Sequence, residues 1–321
     1  MRAAPRPSGR IRPPTMRQMP QSIDPGVDMF GLLQADLPLD QLRSRWAPAP
    51  SQFIALMGMQ VHLRDEGPRE DPSPIVLIHG TAASLHTWEG WVDALKPTRR
   101  VVTMDLPGFG LTGPNPEDDY HLDTYVRFVL ALLDRLGIQR CVLGGNSLGG
   151  EIAWHVGLAA PQRIERLILV DAAGYKKWPK GMPLGFLLAA LPGSRPIIER
   201  VLPRFIVDSS TRFVYGEPSR ITAAINDRYY QLALRPGNRG ALARRFRQVN
   251  MGEDTHRLGE LRMPTLIVWG ARDRIFGLGD ARGFQKAIPG SRLQVYDDLG
   301  HVPQEEDAAR TVRDVQAFLA A

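Results

Sequence analysis

Cysteine is nearly absent from this chain of 321 residues, because Cys141 is the only one. An intrachain disulfide is therefore impossible, a reducing compartment is acceptable, and we expect a cytoplasmic protein. Long apolar runs are lacking as well. No stretch approaches the roughly 18 consecutive apolar residues that cross a bilayer, so we expect no integral membrane segment.

Lysine is scarce, although the chain carries a net charge of +6 and a pI near 9.7. The excess of base comes from arginines that are spread along the whole sequence. A nucleic-acid-binding protein concentrates its basic residues on one face or in one segment. We therefore expect no nucleic-acid partner.

The first twenty residues combine five arginines with five prolines and contain no acidic residue. Such a composition buries too little apolar surface to fold, which predicts disorder. The apolar core of a signal peptide does not follow the basic stretch. We assign residues 1–50 to an N-terminal extension whose first part is disordered.

From Gln52 onward, short apolar runs alternate with amphipathic stretches, after an opening hairpin that turns at Gly58. This alternation is typical of an α/β protein with a mostly parallel sheet that helices cover on both faces. The predicted strands are, in order, PIVLIHG, RRVVTMDLPG, QRCVLGGNS, RIERLILVD, MPTLIVWGARD and SRLQVYDD.

Residues 174–251 interrupt the alternation. They contain helix-like runs but no good strand pattern: LGFLLAAL, PIIERVLPRFIV, SRITAAINDRYYQLAL and RGALARRFRQVN. We interpret this interval as a helical cap over the carboxyl ends of the strands, where open α/β sheets bind ligands. Extra core packing is the alternative. Residues 51–173 and 252–321 then form the core domain.

Gly145, Ser147 and Gly149 form a G-x-S-x-G pattern between a predicted strand and a predicted helix. A serine at such a sharp turn has its hydroxyl exposed above the sheet, and the flanking glycines avoid collisions with neighbouring backbone. The pattern alone is weak, but its position between strand and helix makes it specific. We predict that Ser147 is a catalytic nucleophile.

An oxyanion hole requires two N–H donors near this serine. The amide of Leu148 begins the predicted helix and benefits from the positive end of its dipole. The loop after PIVLIHG would supply the second donor, with Thr81 as the first candidate and Ala82 as the second. His79 precedes this loop, and we expect it to fix the shape of the loop by hydrogen bonding.

A nucleophilic serine needs a base and an acid that orients the base. His301 lies in a loop between the last predicted strand and the last helix. Asp273 follows a strand and precedes His301, which gives the chain order serine, acid, histidine. Asp171 also follows a strand and remains an alternative acid, while Asp105 is expected to shape its own loop. The other histidines are expected to be structural or solvated: His62, His86, His121, His155 and His256.

The motifs HGTAAS, DLPGFG, GNSLGG, GARD and GHVPQEE, in this order, resemble the α/β-hydrolase superfamily from about Gln52 to the C-terminus. The resemblance implies an eight-stranded sheet, a serine triad, a small-molecule substrate and no metal or organic cofactor. Members with an aspartate at the elbow open epoxides or remove halogens, and Ser147 argues against both reactions.

The resemblance is less specific for substrate than for fold. We expect a carboxylesterase or lipase-like enzyme whose ester substrate has an apolar acyl or aryl part. The alternatives are hydrolysis of a C–C bond, lactone or amide, acyl transfer, or ligand binding by a receptor with low turnover. C–C hydrolases of this superfamily hold their substrates with arginine and tryptophan contacts. Apolar cap residues compatible with a pocket are Phe186, Leu187, Leu188, Leu191, Phe205, Phe213, Tyr229 and Tyr230.

Overall fold

The computed structural model describes residues 34–175, 181–250 and 252–321. The predicted disorder of the first twenty residues lies outside these ranges. The strands are β1 Gln52–Leu56, β2 Met59–Glu66, β3 Ile75–Ile78, β4 Val101–Met104, β5 Cys141–Asn146, β6 Ile164–Val170, β7 Thr265–Gly270 and β8 Arg292–Tyr296.

These strands form one sheet in the order β1-β2-β4-β3-β5-β6-β7-β8. Strand β2 is antiparallel to both β1 and β4, and the other pairs are parallel. The carboxyl ends of β3 and β5 to β8 therefore meet at one edge of the sheet. The α/β-hydrolase fold predicted from the motifs is confirmed.

The helices are α1 Leu39–Trp46, α2 Glu89–Leu95, α3 Leu122–Arg135, α4 Leu148–Ala159, α5 Leu184–Ala190, α6 Arg195–Ile198, α7 Arg204–Val214, α8 Ala223–Ala233, α9 Asn238–Arg247, α10 Leu278–Ala287, α11 Pro303–Glu306 and α12 Ala308–Ala320. Short 3-10 helices span Leu85–Trp88, Pro161–Arg163, Pro218–Arg220 and Thr255–Glu260. Across the described ranges, no helix has both the length and the apolarity to cross a membrane.

Both faces of the sheet are covered, as strand β3 illustrates. Ile75 and Leu77 pack into a cluster with α2 and α12, whereas Val76 and Ile78 pack into a cluster with α3, α4 and α10. All four side chains are fully buried. An uninterrupted apolar run is what a strand between two helical layers requires.

Helices α5 to α9 lie between β6 and β7 in the chain, within the interval 174–251. The run PIIERVLPRFIV, expected as one helix-like run, forms two helices, α6 and α7. Pro203 explains the break, because a proline disfavours helical backbone at the preceding residue and lacks the N–H needed inside a helix. Pro203 is instead the N-cap of α7.

A buried carboxylate connects the loops beside β4. The Oδ1 atom of Asp105 accepts a hydrogen bond from the Leu85 amide at 2.8 Å, and its Oδ2 atom accepts one from the Leu111 amide at 2.7 Å. Oδ2 also lies 2.7 Å from Nδ1 of His62. Asp105 therefore shapes its loop, as predicted, and fixes the segment that carries His86.

From the burial of His86 we predict that the folded protein loses stability in acid. Burial lowers the pKa of His86 from 6.5 to about 3, so the folded protein contains the neutral imidazole. This contribution to stability is present above pH 6.5 and is lost as the pH falls toward 3, at up to about 1.4 kcal/mol per pH unit. We expect His86→Gln to be less stable at neutral pH but to lose less stability than the wild type near pH 5. Urea unfolding at both pH values tests this, and equal losses in the two proteins would contradict it.

Candidate active site

Ser147 occupies a strained turn between β5 and α4, with φ 55° and ψ −118°. A positive φ is unfavourable for a residue with a side chain and persists only where the surroundings enforce it. Strand β6 and the residues after it supply two hydrogen bonds: the Ser147 amide donates to Val170 O at 3.0 Å, and Ser147 O accepts from the Ala173 amide at 3.1 Å. The turn is therefore held by its neighbour in the sheet.

The flanking glycines are a steric necessity. A Cβ at Gly145 would lie 2.1 Å from Gly149 O, and a Cβ at Gly149 would lie 2.1 Å from Ile78 O. Both contacts are with backbone, which has no room to move in the sheet and the helix. The G-x-S-x-G pattern thus allows α4 to begin directly against strands β3 and β5.

His301 and Asp273 form a hydrogen-bonded pair, with Nδ1 of His301 2.7 Å from Oδ2 of Asp273. The other carboxylate oxygen of Asp273 accepts from the amides of Ile275 at 2.7 Å and Phe276 at 3.1 Å. These bonds fix the carboxylate after β7, and both side chains are buried. The structure therefore brings His301 together with Asp273, which is the first of the two acids predicted from the sequence.

Asp171, the alternative acid, follows β6 and lies beside this pair. Its Oδ1 atom accepts from the Gly270 amide at 3.0 Å. Burial, and then the negative charge of Asp273, raise the pKa of Asp171 well above its ordinary value. Ligand atoms of Asp171, Asp273 and His301 lie within 4.8 Å of one another. The carboxylate oxygens of Asp171 and Asp273 already accept backbone N–H groups, and Nδ1 of His301 is engaged by Asp273, so a hydrogen-bonded cluster fits this geometry better than a metal site.

Two backbone contacts fix the loop that carries His301. The His301 amide donates to Val214 O at 2.7 Å, at the end of α7. Nδ2 of Asn146 donates to His301 O at 2.9 Å and to Val170 O at 3.1 Å. Asn146 therefore joins the serine turn to the histidine loop. No role was predicted for Asn146 from the sequence, although its position directly before Ser147 in the motif indicates a part in the site.

Glu306 was also missed. One carboxylate oxygen accepts from the Gly300 amide at 2.6 Å, and the other accepts from the Gly216 amide at 2.9 Å. The residue thereby ties the histidine loop to the segment after α7. Glu306 lies in the quoted motif GHVPQEE, but its partner at Gly216 is 90 positions away and no local pattern reveals it.

The predicted oxyanion residues Thr81, Ala82 and Leu148 line the same cavity as Ser147 and His301. The loop after β3 passes close to Ser147, because a Cβ at Gly80 would lie 3.1 Å from Cβ of Ser147. The two predicted donors, the amides of Thr81 and Leu148, are thus carried by backbone that borders Ser147.

His79 is fixed on both ring nitrogens. Nε2 accepts from the Leu106 amide at 2.9 Å, so Nδ1 carries the proton and donates to Gly80 O at 2.7 Å. Burial keeps the pKa of His79 below its ordinary value. This arrangement matches the predicted role of holding the loop after β3.

A cavity of about 640 Å³ extends from Ser147 and His301 into the helices α5 to α9. Phe186 and Tyr229 line it, as expected. Of the other apolar residues that were compatible with a pocket, Leu187, Leu191 and Phe205 are exposed, and Leu188, Phe213 and Tyr230 are not part of the lining. Other apolar residues in the wall include Met182, Leu202, Ile206, Leu242 and Phe246.

Four charged residues also line this mostly apolar cavity: Glu151, Arg239, Arg245 and Glu253. Arg239 donates to Asp36 Oδ1 at 2.8 Å. Arg245 lies 4.0 Å from Glu151 Oε2, with its guanidinium 5.8 Å from the centre of the Tyr125 ring. Burial raises the pKa of Glu151 to about 7. Within the described part of the chain, Nε of Arg245 has no hydrogen-bond partner.

The sheet order, the serine turn and the cavity at the carboxyl ends of the strands define an α/β protein with a binding site above its sheet. The model of the alpha/beta hydrolase fold family matches residues 73–308. The chain therefore belongs to the α/β-hydrolase family, and its enzyme class is hydrolase.

Curated relatives have similar lengths. A 2-hydroxymuconate semialdehyde hydrolase from Pseudomonas sp. (strain CF600) is 28% identical over 286 residues, which cover 85% of this chain and 95% of the relative. A 2-hydroxy-6-oxo-2,4-heptadienoate hydrolase from Pseudomonas putida is 29% identical over 279 residues, 84% of this chain and 96% of the relative. The crystal structure of a bacterial membrane phospholipase A shares the fold, with a TM-score of 0.73 and 23% identity over 88% of this chain and 90% of the phospholipase.

Substitution of the two buried acids, Asp273 and Asp171, should affect the reaction rate of Ser147 very differently. Asp273→Asn should slow the reaction of Ser147 about 10⁴-fold, because His301 loses the carboxylate that fixes its tautomer. Asp171→Asn should change the rate less than about tenfold, since Asp273 is the acid that contacts His301. The rate of labelling by a fluorophosphonate, which reacts with activated serines, measures this without a known substrate. Thermal melts control for folding, and a larger loss in Asp171→Asn than in Asp273→Asn would make Asp171 the functional acid.

Proposed function

We propose that this protein hydrolyses carboxylic esters with a large apolar acyl part through an acyl-enzyme on Ser147. The observation that carries the proposal is the cavity of about 640 Å³ beside Ser147, with its mostly apolar wall. Such a wall binds alkyl or aryl groups by removing them from water. In this proposal Ser147, His301 and Asp273 are the catalytic residues.

The reaction begins when Nε2 of His301 takes the proton of Ser147 Oγ, which attacks the ester carbonyl carbon. Asp273 holds the Nδ1–H of His301 and stabilises the imidazolium that forms. The amides of Leu148 and Thr81 donate to the oxyanion of the tetrahedral intermediate. His301 then protonates the leaving alcohol, and water releases the carboxylic acid from Ser147 by the reverse steps.

The charges of the cavity favour a neutral substrate. A buried substrate carboxylate needs a cationic partner that is not already neutralised. Arg239 is paired with Asp36, and Arg245 lies 4.0 Å from Glu151, which neutralises its charge only while Glu151 is ionised. The contacts that C–C hydrolases of the superfamily use also include tryptophan. Among the described residues, no tryptophan lines the wall, and Trp178 is not one of the described residues.

C–C bond hydrolysis is the second candidate, and the names of the two Pseudomonas relatives support it better than ester cleavage. A 2-hydroxy-6-oxo-2,4-heptadienoate contains a ketone and a carboxylate but no ester, so its hydrolysis breaks a C–C bond. In this chain the pKa of about 7 for Glu151 favours this candidate. When Glu151 is protonated, the charge of Arg245 is available to a substrate carboxylate.

Ester chain length tests the first candidate. We expect kcat/KM for p-nitrophenyl esters to rise from acetate to octanoate, because each buried CH₂ contributes about 0.8 kcal/mol, or roughly fourfold. Ser147→Ala should abolish this activity. Hydrolysis that survives in Ser147→Ala would contradict the proposed nucleophile.

The second candidate is tested with 2-hydroxy-6-oxo-2,4-heptadienoate and the variant Arg245→Met, which removes the charge and keeps an apolar stem. If the protein is an esterase, the dienoate is a poor substrate and Arg245→Met leaves kcat/KM for the octanoate within about threefold. Efficient cleavage of the dienoate, with a KM that rises tenfold or more in Arg245→Met, would replace ester hydrolysis by C–C hydrolysis. An intact triad that turns over neither substrate would favour the receptor alternative.

A further inference from the structure

A segment ahead of the sheet has no part in the reaction described so far. Residues 34–46, which we call the N-terminal strap, comprise a short non-helical stretch followed by helix α1. The strap lies outside the match to the family model, which covers residues 73–308. It forms the later part of the N-terminal extension expected at residues 1–50, for which the sequence indicated no function.

Hydrogen bonds attach the beginning of the strap to the helices that cover the cavity. The Gln34 amide donates to Arg200 O at 2.9 Å, and Oε1 of Gln34 accepts from the Leu202 amide at 2.9 Å. The Leu37 amide donates to Leu234 O at 2.9 Å. The strap is therefore bonded to the connection between α6 and α7 and to the residue that ends α8.

Helix α1 continues this attachment and reaches the core domain. Nη2 of Arg45 donates to Oδ2 of Asp227 at 2.9 Å, and Nε1 of Trp46 donates to Oε1 of Gln231 at 3.0 Å. Both acceptors belong to α8. Nε2 of His86 donates to Trp46 O at 2.7 Å. The two ends of the strap are thus fixed, one on the helical layer and the other on both layers.

Apolar side chains of the strap pack behind the wall of the cavity. Leu37 and Leu42 are buried in one hydrophobic cluster. Three residues of the helical layer that belong to this cluster or pack against it also line the cavity: Leu202, Val207 and Leu232. The strap therefore has a fixed position directly behind part of the wall.

This position brings a carboxylate of the strap to an arginine of the wall. Arg239 lines the cavity, and its side chain is only 6% exposed. Its Nη2 atom donates to Gln34 O at 3.0 Å and to Oδ1 of Asp36 at 2.8 Å. Among the described residues, Asp36 is the one acid that pairs with Arg239, and Nη1 of Arg239 is buried there without a hydrogen-bond partner.

The attachment of the strap gives this ion pair its effect. The Asp36 side chain is 43% exposed, and a pair with such a carboxylate is ordinarily weak because both side chains lose freedom when they meet. Here the neighbours Gln34 and Leu37 hold the backbone of Asp36 in place. A buried guanidinium requires a negative partner. Because the strap supplies it, the wall offers no free cation at Arg239 to an anionic substrate.

We propose that the N-terminal strap is part of the substrate site and that Asp36 determines its specificity by neutralising Arg239, so that neutral acyl chains are preferred over anionic ones. This inference rests on the proposed ester hydrolysis for its substrate class. It assigns a function to residues that lie outside the family-model match and that contact neither Ser147 nor His301.

Two esters of equal length test the role of Asp36 in the full chain. The p-nitrophenyl esters of octanoic acid and of octanedioic acid differ at the last carbon, which is a methyl group in the first and a carboxylate in the second. Asp36→Asn keeps an oxygen for Arg239 but removes the negative charge. We therefore expect the ratio of kcat/KM for the octanedioate to kcat/KM for the octanoate to rise about tenfold or more.

Asp40→Asn is the matched control, because it removes the same charge from an exposed residue of the strap that is not paired with Arg239, and it should keep the wild-type ratio. The double variant Asp36→Asn/Arg239→Met should return the ratio to that of the wild type, which loss of a merely structural contact would not do. An unchanged ratio in Asp36→Asn overturns the proposal. So does an equal rise in Asp40→Asn, which would assign the effect to the overall charge of the strap.

A failure of the proposed reaction is recognised separately. If the wild type hydrolyses neither ester, ester hydrolysis is wrong, and the strap is tested by binding alone. Isothermal titration of Ser147→Ala with octanamide and with the monoamide of octanedioic acid then compares the two end groups without turnover. Adding Asp36→Asn should tighten binding of the monoamide about tenfold relative to octanamide. An unchanged affinity ratio, or no binding of either amide, overturns the proposal.

Discussion

The unfavourable backbone conformation of Ser147 is the constraint around which the site is built. A φ of 55° at a serine is energetically unfavourable, and interactions with the neighbouring strand have to offset this cost. Hydrogen bonds to Val170 O and from the Ala173 amide do so. The same constraint requires glycine at positions 145 and 149, because Cβ atoms there would collide with backbone. The glycines of the motif and the position of Ser147 between β5 and α4 are thus consequences of one strained turn.

The parts of the site that the sequence predicted are those that depend on chain order and local pattern. A serine between strand and helix, an acid after a later strand and a histidine after the last strand converge because parallel strands end at one edge. Asp273 and His301 do form the expected hydrogen bond. The bonds of Asn146 to His301 O and of Glu306 to Gly216 join segments distant in sequence, so no local periodicity predicts them.

The surroundings of helices α5 to α9 were harder to predict than those of the sheet. An apolar side chain on a short helix has no fixed partner until the rotation of that helix against its neighbours is known. Phe186 and Leu187 are adjacent in sequence, yet the first lines the cavity and the second is exposed. Composition therefore indicated an apolar pocket, but it could not say which of the apolar residues form its wall.

The histidine loop has a further consequence for motion. The His301 amide is bonded to Val214 O, and Glu306 binds the Gly216 amide, so the residues at and just after the end of α7 hold the loop of His301. Moving these residues outward would pull the imidazole away from Asp273. Opening of the cavity that keeps the His301–Asp273 pair in place would therefore have to move α5 and α6, which form no backbone hydrogen bond with the histidine loop in the described part of the chain.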